Sequence, residues 1–437
     1  MFFLEEVIEP LASHKLTYVE SYISLINESE LYKEIVNNLG EDANKEEFNN
    51  LSTPSLKFNY VLSNRHMSLN SLNSLILDNI QFNCSNIFFD KINTRLSDSD
   101  IIKAFKKITK SFSLKNVASN YHDELKSSGY NLLDRITGRV EDELYFPVLE
   151  FRESYIRIMT VVSFLDSDGI RSKRVCIVKV NRENGQTSFY VNGKLGNFKL
   201  KNRDSKIINS PLSFYKEVKF LIGQYFSVLY ESKNNTYKIE RKKMFLFCNQ
   251  MNNLMIGHES EGLEELISPI LKRQINKISN KMNKMNNNVK LSKETTERIQ
   301  RKIFSAYLGE YITQGFPDDA LKKNSIINGC PCYPTKISFK GQELSRGRAS
   351  ARNKNFPLTF ESVFYSLNTD IEMAGELDEF TLAWFDSTFF SEKKVLSVSQ
   401  TTIKINKSCF SIVLLNKKYK NRELVEFIER TIREAVS

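Results

Sequence analysis

The chain has 437 residues, enough for about two or three domains with buried cores. Its 62 Lys and Arg residues outnumber its 52 Asp and Glu residues, so the formal net charge is 62 − 52 = +10. The hydrophobic fraction of 41% and the charged fraction of 26% are those of an ordinary folded protein. These values exclude a disordered polyelectrolyte, a collagen-like fibre and a membrane transporter.

Cysteine usage and the first residues indicate a cytoplasmic protein. Six cysteines are spread thinly over the chain, which is not a disulfide framework, so we expect free thiols in a reducing compartment. Glu5 and Glu6 stand where a secretory signal needs a basic start and a longer apolar run. The longest apolar runs, such as 158–165, are far shorter than the roughly 20 residues that span a bilayer, so we expect no membrane partner.

Residues 1–140 are predicted to form a mainly helical region. Ile101, Phe105, Ile108 and Phe112 recur at spacings of four, three and four residues, which is the apolar stripe of an amphipathic helix. Ser99 is its expected N-cap.

Residues 141–250 are predicted to form a basic, antiparallel β-rich domain with one buried helix. Strand-like segments at 155–164, 173–180, 187–192 and 197–201 are separated by short turn signals. Short links make antiparallel neighbours, so we expect a β meander or a small partial barrel. Ser210 and Pro211 are predicted to open the helix, and 237–248 to form a hairpin.

Residues 251–330 are predicted to be helical, and residues 331–437 to form a C-terminal α/β unit, which makes the fold class α+β. A heptad seam runs from Leu271 to Val289, and Ser292 restarts a helix. The seam packs inside its own domain or docks another subunit. It is accompanied by seven basic and no acidic residues between 272 and 293. Strands at 395–405 and 409–415 precede a terminal helix capped by Asn421.

Motifs for a phosphate-binding loop, a nucleophile elbow or a zinc site do not occur in the sequence. The pair Cys330 and Cys332 is interpreted as packing in a proline-rich turn rather than as a metal or redox site. We therefore predict no catalytic residue, no metal ligand and no cofactor.

The triplet Glu240-Arg241-Lys242, on a predicted strand with three aspartates upstream, resembles the PD-(D/E)XK nuclease pattern. Such triplets of common residues recur in this chain by chance, and a predicted helix separates Asp204 from Glu240. The favoured interpretation is a solvated strand face, and a Mg²⁺-dependent nuclease is the expected class if the chain is an enzyme.

Positive charge is concentrated in the predicted central strands. Between residues 171 and 206, ten basic residues stand against two acidic ones, a net charge of 10 − 2 = +8. A lysine-lined sheet face can follow the phosphates of a nucleic-acid strand. Phe189 and Tyr190 either stack on bases or belong to the core. The predicted phosphate contacts are Lys173, Arg174, Lys179, Arg182, Lys194, Lys199, Lys201 and Arg203.

A second basic region runs from Lys336 to Lys354. Its centre, 345–354, is small, flexible and cationic, and arginine forks suit bidentate phosphate or guanine contacts. Its predicted contacts are Arg346, Arg348, Arg352 and Lys354. The following residues, 355–392, contain eight acidic and no basic residues, with Glu372, Glu376 and Glu379 predicted on one helical face. The structural interpretation of that acidic stretch is a surface that faces the protein's own basic segments or solvent. The functional interpretation is a surface that docks a basic partner or mimics DNA.

The sequence thus predicts a nucleic-acid-binding, non-catalytic subunit of a cytosolic multi-protein assembly that contacts DNA through the phosphate backbone. Abundant Lys, Asn, Ile and Phe suggest AT-rich coding, and on this ground we expect a bacterial or phage-related defence or restriction system. The alternatives are a metal-dependent nuclease with a degenerate PD-(D/E)XK-like site and a protein–protein scaffold subunit.

Overall fold

The computed structural model describes residues 25–40, 43–111, 132, 136, 144–165, 169, 171–193, 198–200, 207–286, 291–340, 346–386, 397–415 and 422–436. The chain divides into two compact units, Met1–Glu231 (unit 1) and Ser232–Ser437 (unit 2). Helices and antiparallel strands occur in both units, which confirms the α+β class. The four-part division at residues 140, 250 and 330 stays a prediction.

The first helices of unit 1 are α1 (Glu28–Asn38), α2 (Lys45–Asn50), α3 (Pro54–Ser63), α4 (Leu69–Asn83) and α5 (Asp98–Ser111). The stripe predicted for α5 is confirmed at Ile101, Phe105 and Ile108, which are buried, whereas Phe112 lies outside the described residues. The predicted cap is wrong by two positions. The Ser97 hydroxyl, not that of Ser99, accepts the Asp100 N–H at 3.2 Å, because the helix already begins at Asp98.

The strands of unit 1 are β1 (Asn86–Lys91), β2 (Leu144–Phe151), β3 (Tyr155–Leu165), β4 (Arg171–Asn181), β5 (Gln186–Val191) and the short pair β6 (Phe198–Lys199) and β7 (Ile207–Ile208). The order in the main sheet is β2-β3-β4-β5-β1, with antiparallel neighbours, so the predicted meander is confirmed for the segments 155–164, 173–180 and 187–192. The segment predicted at 197–201 does not join it, because β6 pairs with β7 in a separate two-stranded sheet.

Helices cover both faces of this sheet. On one face, Arg157 of β3 bonds to Asp78 and Gln81 of α4. On the other lies α6 (Pro211–Phe226), whose Tyr215 stacks on Phe88 of β1 at 4.4 Å between ring centroids. The predicted start of α6 is confirmed, since the Ser210 hydroxyl accepts the Ser213 N–H at 3.1 Å.

The helices of unit 2 are α7 (Lys233–Met285), α8 (Lys293–Gly315), α9 (Asp318–Ile327), α10 (Ser362–Ala374) and α11 (Arg422–Val436). The hairpin predicted for 237–248 is wrong, because these residues belong to α7. Met244, Cys248, Met251 and Met255 recur at helical spacing and are buried, so one continuous apolar face favours a helix. The restart at Ser292 is confirmed by its hydroxyl, which accepts the Thr295 N–H at 3.0 Å.

The heptad seam is buried only at its start. Leu271 and Ile275 are buried, whereas Ile278, Met282 and Met285 are 56%, 39% and 88% exposed. Val289 lies outside the described residues.

The strands of unit 2 are β8 (Cys332–Lys340), β9 (Arg346–Ser350), β10 (Glu379–Phe385), β11 (Val398–Ile405) and β12 (Phe410–Leu414), in the order β12-β11-β10-β8-β9. This confirms the predicted strands before the terminal helix, whose proposed cap Asn421 lies outside the described residues. The core holds Trp384, which donates to the Thr401 hydroxyl at 2.8 Å and packs against Phe427 of α11.

Candidate nucleic-acid interface

Cationic side chains gather on one face of the unit 2 sheet, around the β8–β9 hairpin. The register pairs Lys340 with Arg346 and Ser338 with Arg348. Directly opposed residues of an antiparallel pair point to the same face. Glu379 of β10 continues this row, since it lies opposite Ser338 on one side and opposite Lys404 of β11 on the other. We call the following set the cationic face: Lys336, Lys340, Arg346, Arg348, Lys404 and Glu379.

Packing on the opposite face fixes the direction of the arginines. Phe339 and Ala349 are buried there, and a Cβ atom added to Gly347 would overlap the Phe339 ring. Because side chains alternate along a strand, Arg346 and Arg348 must point the other way, and both are exposed.

The cationic face has five cations and one carboxylate, a net charge of 5 − 1 = +4. Glu379 lies 2.5 Å from Lys336 and 3.2 Å from Lys404. Burial alone would raise the pKa of Glu379, but the hydrogen bonds and charges of the two lysines outweigh it and lower the pKa. Within the described ranges no carboxylate pairs with Lys340, Arg346 or Arg348, so these three carry three of the four net positive charges.

Arg352 and Lys354 follow β9. The Arg352 guanidinium stacks over Phe356, 3.6 Å from the ring centroid, and lies 3.6 Å from a Glu361 oxygen. Lys354 is exposed, and its carbonyl accepts the Tyr333 hydroxyl at 3.3 Å. Arg352 is therefore partly neutralised, whereas no carboxylate of the described residues pairs with Lys354.

Two of the predicted contacts of unit 1, Lys173 and Arg174, are withdrawn from its surface. Lys173 is buried and donates to the Ile136 carbonyl at 2.5 Å. Arg174 is buried beside Phe164, whose ring centroid is 5.6 Å away. The expected lysine-lined face does not occur at these positions of β4, because helices cover both sides of the sheet.

The remaining cations of this set have different surroundings. Lys179 lies over the Tyr155 ring at 4.9 Å. Arg182 pairs with Asp98 and donates to the Glu153 carbonyl at 2.9 Å. Lys199 of β6 is exposed. Outside the described residues lie Lys194, Lys201 and Arg203.

Phe189 and Tyr190 belong to the core of unit 1. Their exposures are 0% and 2%, so neither side chain can stack on a base. Of the two interpretations, the core interpretation is confirmed for both.

The nuclease-like triplet does not lie on a strand. Glu240 is in α7 and pairs with Lys233 at 2.8 Å, while Lys242 is exposed. The upstream residues Asp166, Asp168 and Asp204 lie outside the described residues. Over the part of the chain that the structure describes, no group of three or more His, Cys, Asp and Glu side chains is arranged to hold a metal ion.

The acidic stretch faces the protein's own cations. The predicted helical face of Glu372, Glu376 and Glu379 is wrong, because α10 ends before Gly375 at φ +60° and Glu379 begins β10. Besides Glu379, Asp378 pairs with Arg241 at 2.9 Å and Asp370 with Lys302 at 3.4 Å. The structural interpretation of this stretch is therefore supported.

Sequence reasoning did not name Lys336, Lys340 or Lys404 as contacts, and of these three Lys404 also lies outside the basic region 336–354. Alternation along 398–405 marks it as outward-facing, but only the register with β10 brings it to Glu379.

Comparison of the chain with protein-family models, curated proteins and solved structures finds no match. Among the described helices, none is long and apolar enough to cross a membrane.

Proposed function

We propose that the chain binds nucleic acid through phosphate groups laid along the cationic face of unit 2. The observation that carries this proposal is the shared direction of Lys340, Arg346 and Arg348, with no carboxylate pairing among the described residues. Arg346 and Arg348 are two positions apart, which corresponds to about 6.8 Å along a strand. This spacing lets successive guanidinium groups contact phosphates of one nucleic-acid strand.

Such an interface gives affinity with little sequence preference. Each phosphate contact releases condensed counterions, so binding weakens steeply as salt rises. The role of a non-catalytic subunit that contacts DNA is part of this proposal, whereas membership of a defence or restriction system stays a prediction.

The test is the fluorescence anisotropy of labelled DNA titrated with the full chain. The double variant Arg346→Glu/Arg348→Glu is expected to bind about 10- to 100-fold more weakly at about 100 mM salt. The matched control, Lys33→Glu/Lys323→Glu, makes the same change in net charge at two exposed helical lysines and is expected to bind within about twofold of the wild type. Equal losses in both variants would refute the proposed interface.

A second candidate function, a scaffold subunit, is favoured by the exposed end of the α7 seam. Ile278, Met282 and Met285 are exposed beside a stripe of exposed cations, Arg273, Lys277, Lys281 and Lys284. An apolar seam flanked by positive charge fits an acidic amphipathic helix of another subunit. The mass of the native complex after nuclease treatment tests it. A protein complex that survives in the wild type and dissociates in Ile278→Glu/Met282→Glu supports the scaffold, and a monomer in both cases contradicts it.

A further inference from the structure

Among the residues that the structure describes, no carboxylate lies against the buried guanidinium of Arg174. The residue is 6% exposed, and its Nη1 atom has no hydrogen-bond partner within this part of the chain. Arg157, on the opposite face of the same sheet, shows the usual arrangement, with Glu150 at 2.6 Å and Asp78 bonded to the same guanidinium. Over the described ranges, no carboxylate takes this position at Arg174.

An unpaired buried charge is strongly unfavourable unless something compensates for it. Desolvation lowers the pKa of Arg174 to about 10, which still leaves the side chain protonated at neutral pH. The Phe164 ring at 5.6 Å contributes a cation–π contact, but a ring quadrupole offsets only part of the cost. The positive charge therefore calls for an anion that is not part of the described protein.

Further donors lie at the same end of the sheet. Cys176 of β4 pairs with Val191 of β5, so Arg174, two residues earlier on β4, lies opposite Gly193 in the same register. Gly193 has no side chain that could cover the Arg174 side chain. The Ser85 hydroxyl and the Asn86 amide nitrogen lie 2.8 and 3.6 Å from where a Cβ atom of Gly193 would be. Guanidinium, hydroxyl and amide donors are the groups that bind oxyanions.

We propose that Arg174 anchors a binding site for a small phosphoryl anion, which supplies the missing negative charge. The guanidinium fork matches two phosphate oxygens, and the poorly solvated surroundings strengthen the attraction. Because only 6% of the residue is exposed, the continuous backbone of a duplex cannot lie along the guanidinium, and the ligand that we propose is a small anion. Inorganic phosphate and the terminal phosphate of a nucleotide share this chemistry. The site is in unit 1 and is independent of the interface proposed for unit 2.

The first test is thermal unfolding of the full chain with inorganic phosphate against chloride at equal ionic strength. The wild-type midpoint is expected to rise saturably by about 2–4 °C, and that of Arg174→Met to show no rise. Without phosphate, Arg174→Met is expected to unfold no lower than the wild type, because methionine removes the unpaired charge at similar volume. The matched control Arg157→Met is expected to unfold lower, because it removes the buried cation that contacts both Asp78 and Glu150. No phosphate effect in the wild type, or an equal effect in Arg174→Met, overturns the proposal.

Calorimetric titration with phosphate keeps the test decisive if Arg174→Met does not fold. Arg174→Lys retains the charge but loses the fork, so phosphate is expected to bind several-fold more weakly than to the wild type. A nucleoside monophosphate that binds more tightly than phosphate assigns the site to a terminal phosphate, and the reverse order assigns it to the free anion. Absence of binding by both overturns the site. Arg346→Glu/Arg348→Glu is expected to bind phosphate normally, which separates this proposal from the interface of unit 2.

Discussion

Glu379 accepts a hydrogen bond from Lys336 across neighbouring strands of the unit 2 sheet, with 2.5 Å between Oε1 and Nζ. The same carboxylate lies 3.2 Å from Lys404 on its other side. One acidic residue therefore partly neutralises two of the five cations of the cationic face. If this face binds nucleic acid as we propose, the carboxylate is expected to limit its affinity for phosphates.

Replacing Glu379 by glutamine is expected to strengthen nucleic-acid binding. The change removes one negative charge close to the bound phosphates and frees both lysines, so affinity rises by about two- to fivefold at low salt. Anisotropy titration measures it. Unchanged affinity at about 50 mM salt would show that Glu379 lies outside the binding surface.

The lowered pKa of Glu379 predicts an acid-dependent contribution to stability. A carboxyl whose folded pKa is below its unfolded value stabilises the fold above the unfolded pKa, about 4.3 for Glu, and loses this contribution as pH falls through the folded pKa. Thermal midpoints measured from about pH 6 to pH 2.5 are therefore expected to fall less in Glu379→Gln than in the wild type. Parallel pH profiles would contradict the assigned shift.

Gly347 is expected to tolerate no side chain. Gly347→Ala places a methyl group in the Phe339 ring and is expected to cost about 1–3 kcal/mol of unfolding free energy. The control, Gly262→Ala in α7, has open space around the new methyl group and is expected to gain about 0.5–1 kcal/mol. Chemical denaturation followed by circular dichroism compares them, and the prediction fails if Gly347→Ala is as stable as the wild type.

The cysteines are expected to be unreactive in the folded chain. All six are free and buried, and burial raises the pKa of Cys330 to about 12. Iodoacetamide at about pH 8 is expected to add nothing to the native chain within minutes and six groups to the denatured chain. Intact mass measures this, and rapid labelling of the native chain would contradict the burial of the thiols.

Local sequence signals were sufficient to predict a helix start or an apolar helix face, because these features depend only on residues close together in the chain. The caps at Ser210 and Ser292 depend on a hydroxyl three residues before an N–H, and the stripe of α5 depends on helical spacing. The hairpin predicted for 237–248 failed because two short apolar runs resemble strands when read alone. Only the continuation of the apolar face to Met255 marks them as one helix.

Charged residues could be located from the sequence, but the groups that surround each of them in the fold could not be predicted. Lys173 and Arg174 lie in the most basic segment, yet they are buried because of packing against distant elements. Glu379 was assigned to the acidic stretch, and its role between Lys336 and Lys404 depends on pairing among β8, β10 and β11. Strand register, which a single sequence does not fix, decides which cations remain free.

The salt dependence of DNA binding tests the central claim most directly. The logarithm of the association constant is plotted against the logarithm of salt concentration for the wild type, Arg346→Ala/Arg348→Ala and Lys33→Ala/Lys323→Ala. If both arginines contact phosphates, their removal lowers the magnitude of the slope by about 1.8 on duplex DNA, about 0.9 for each contact, and the lysine control leaves it unchanged. Equal slopes for the wild type and the arginine variant would contradict the proposal that this face binds nucleic acid.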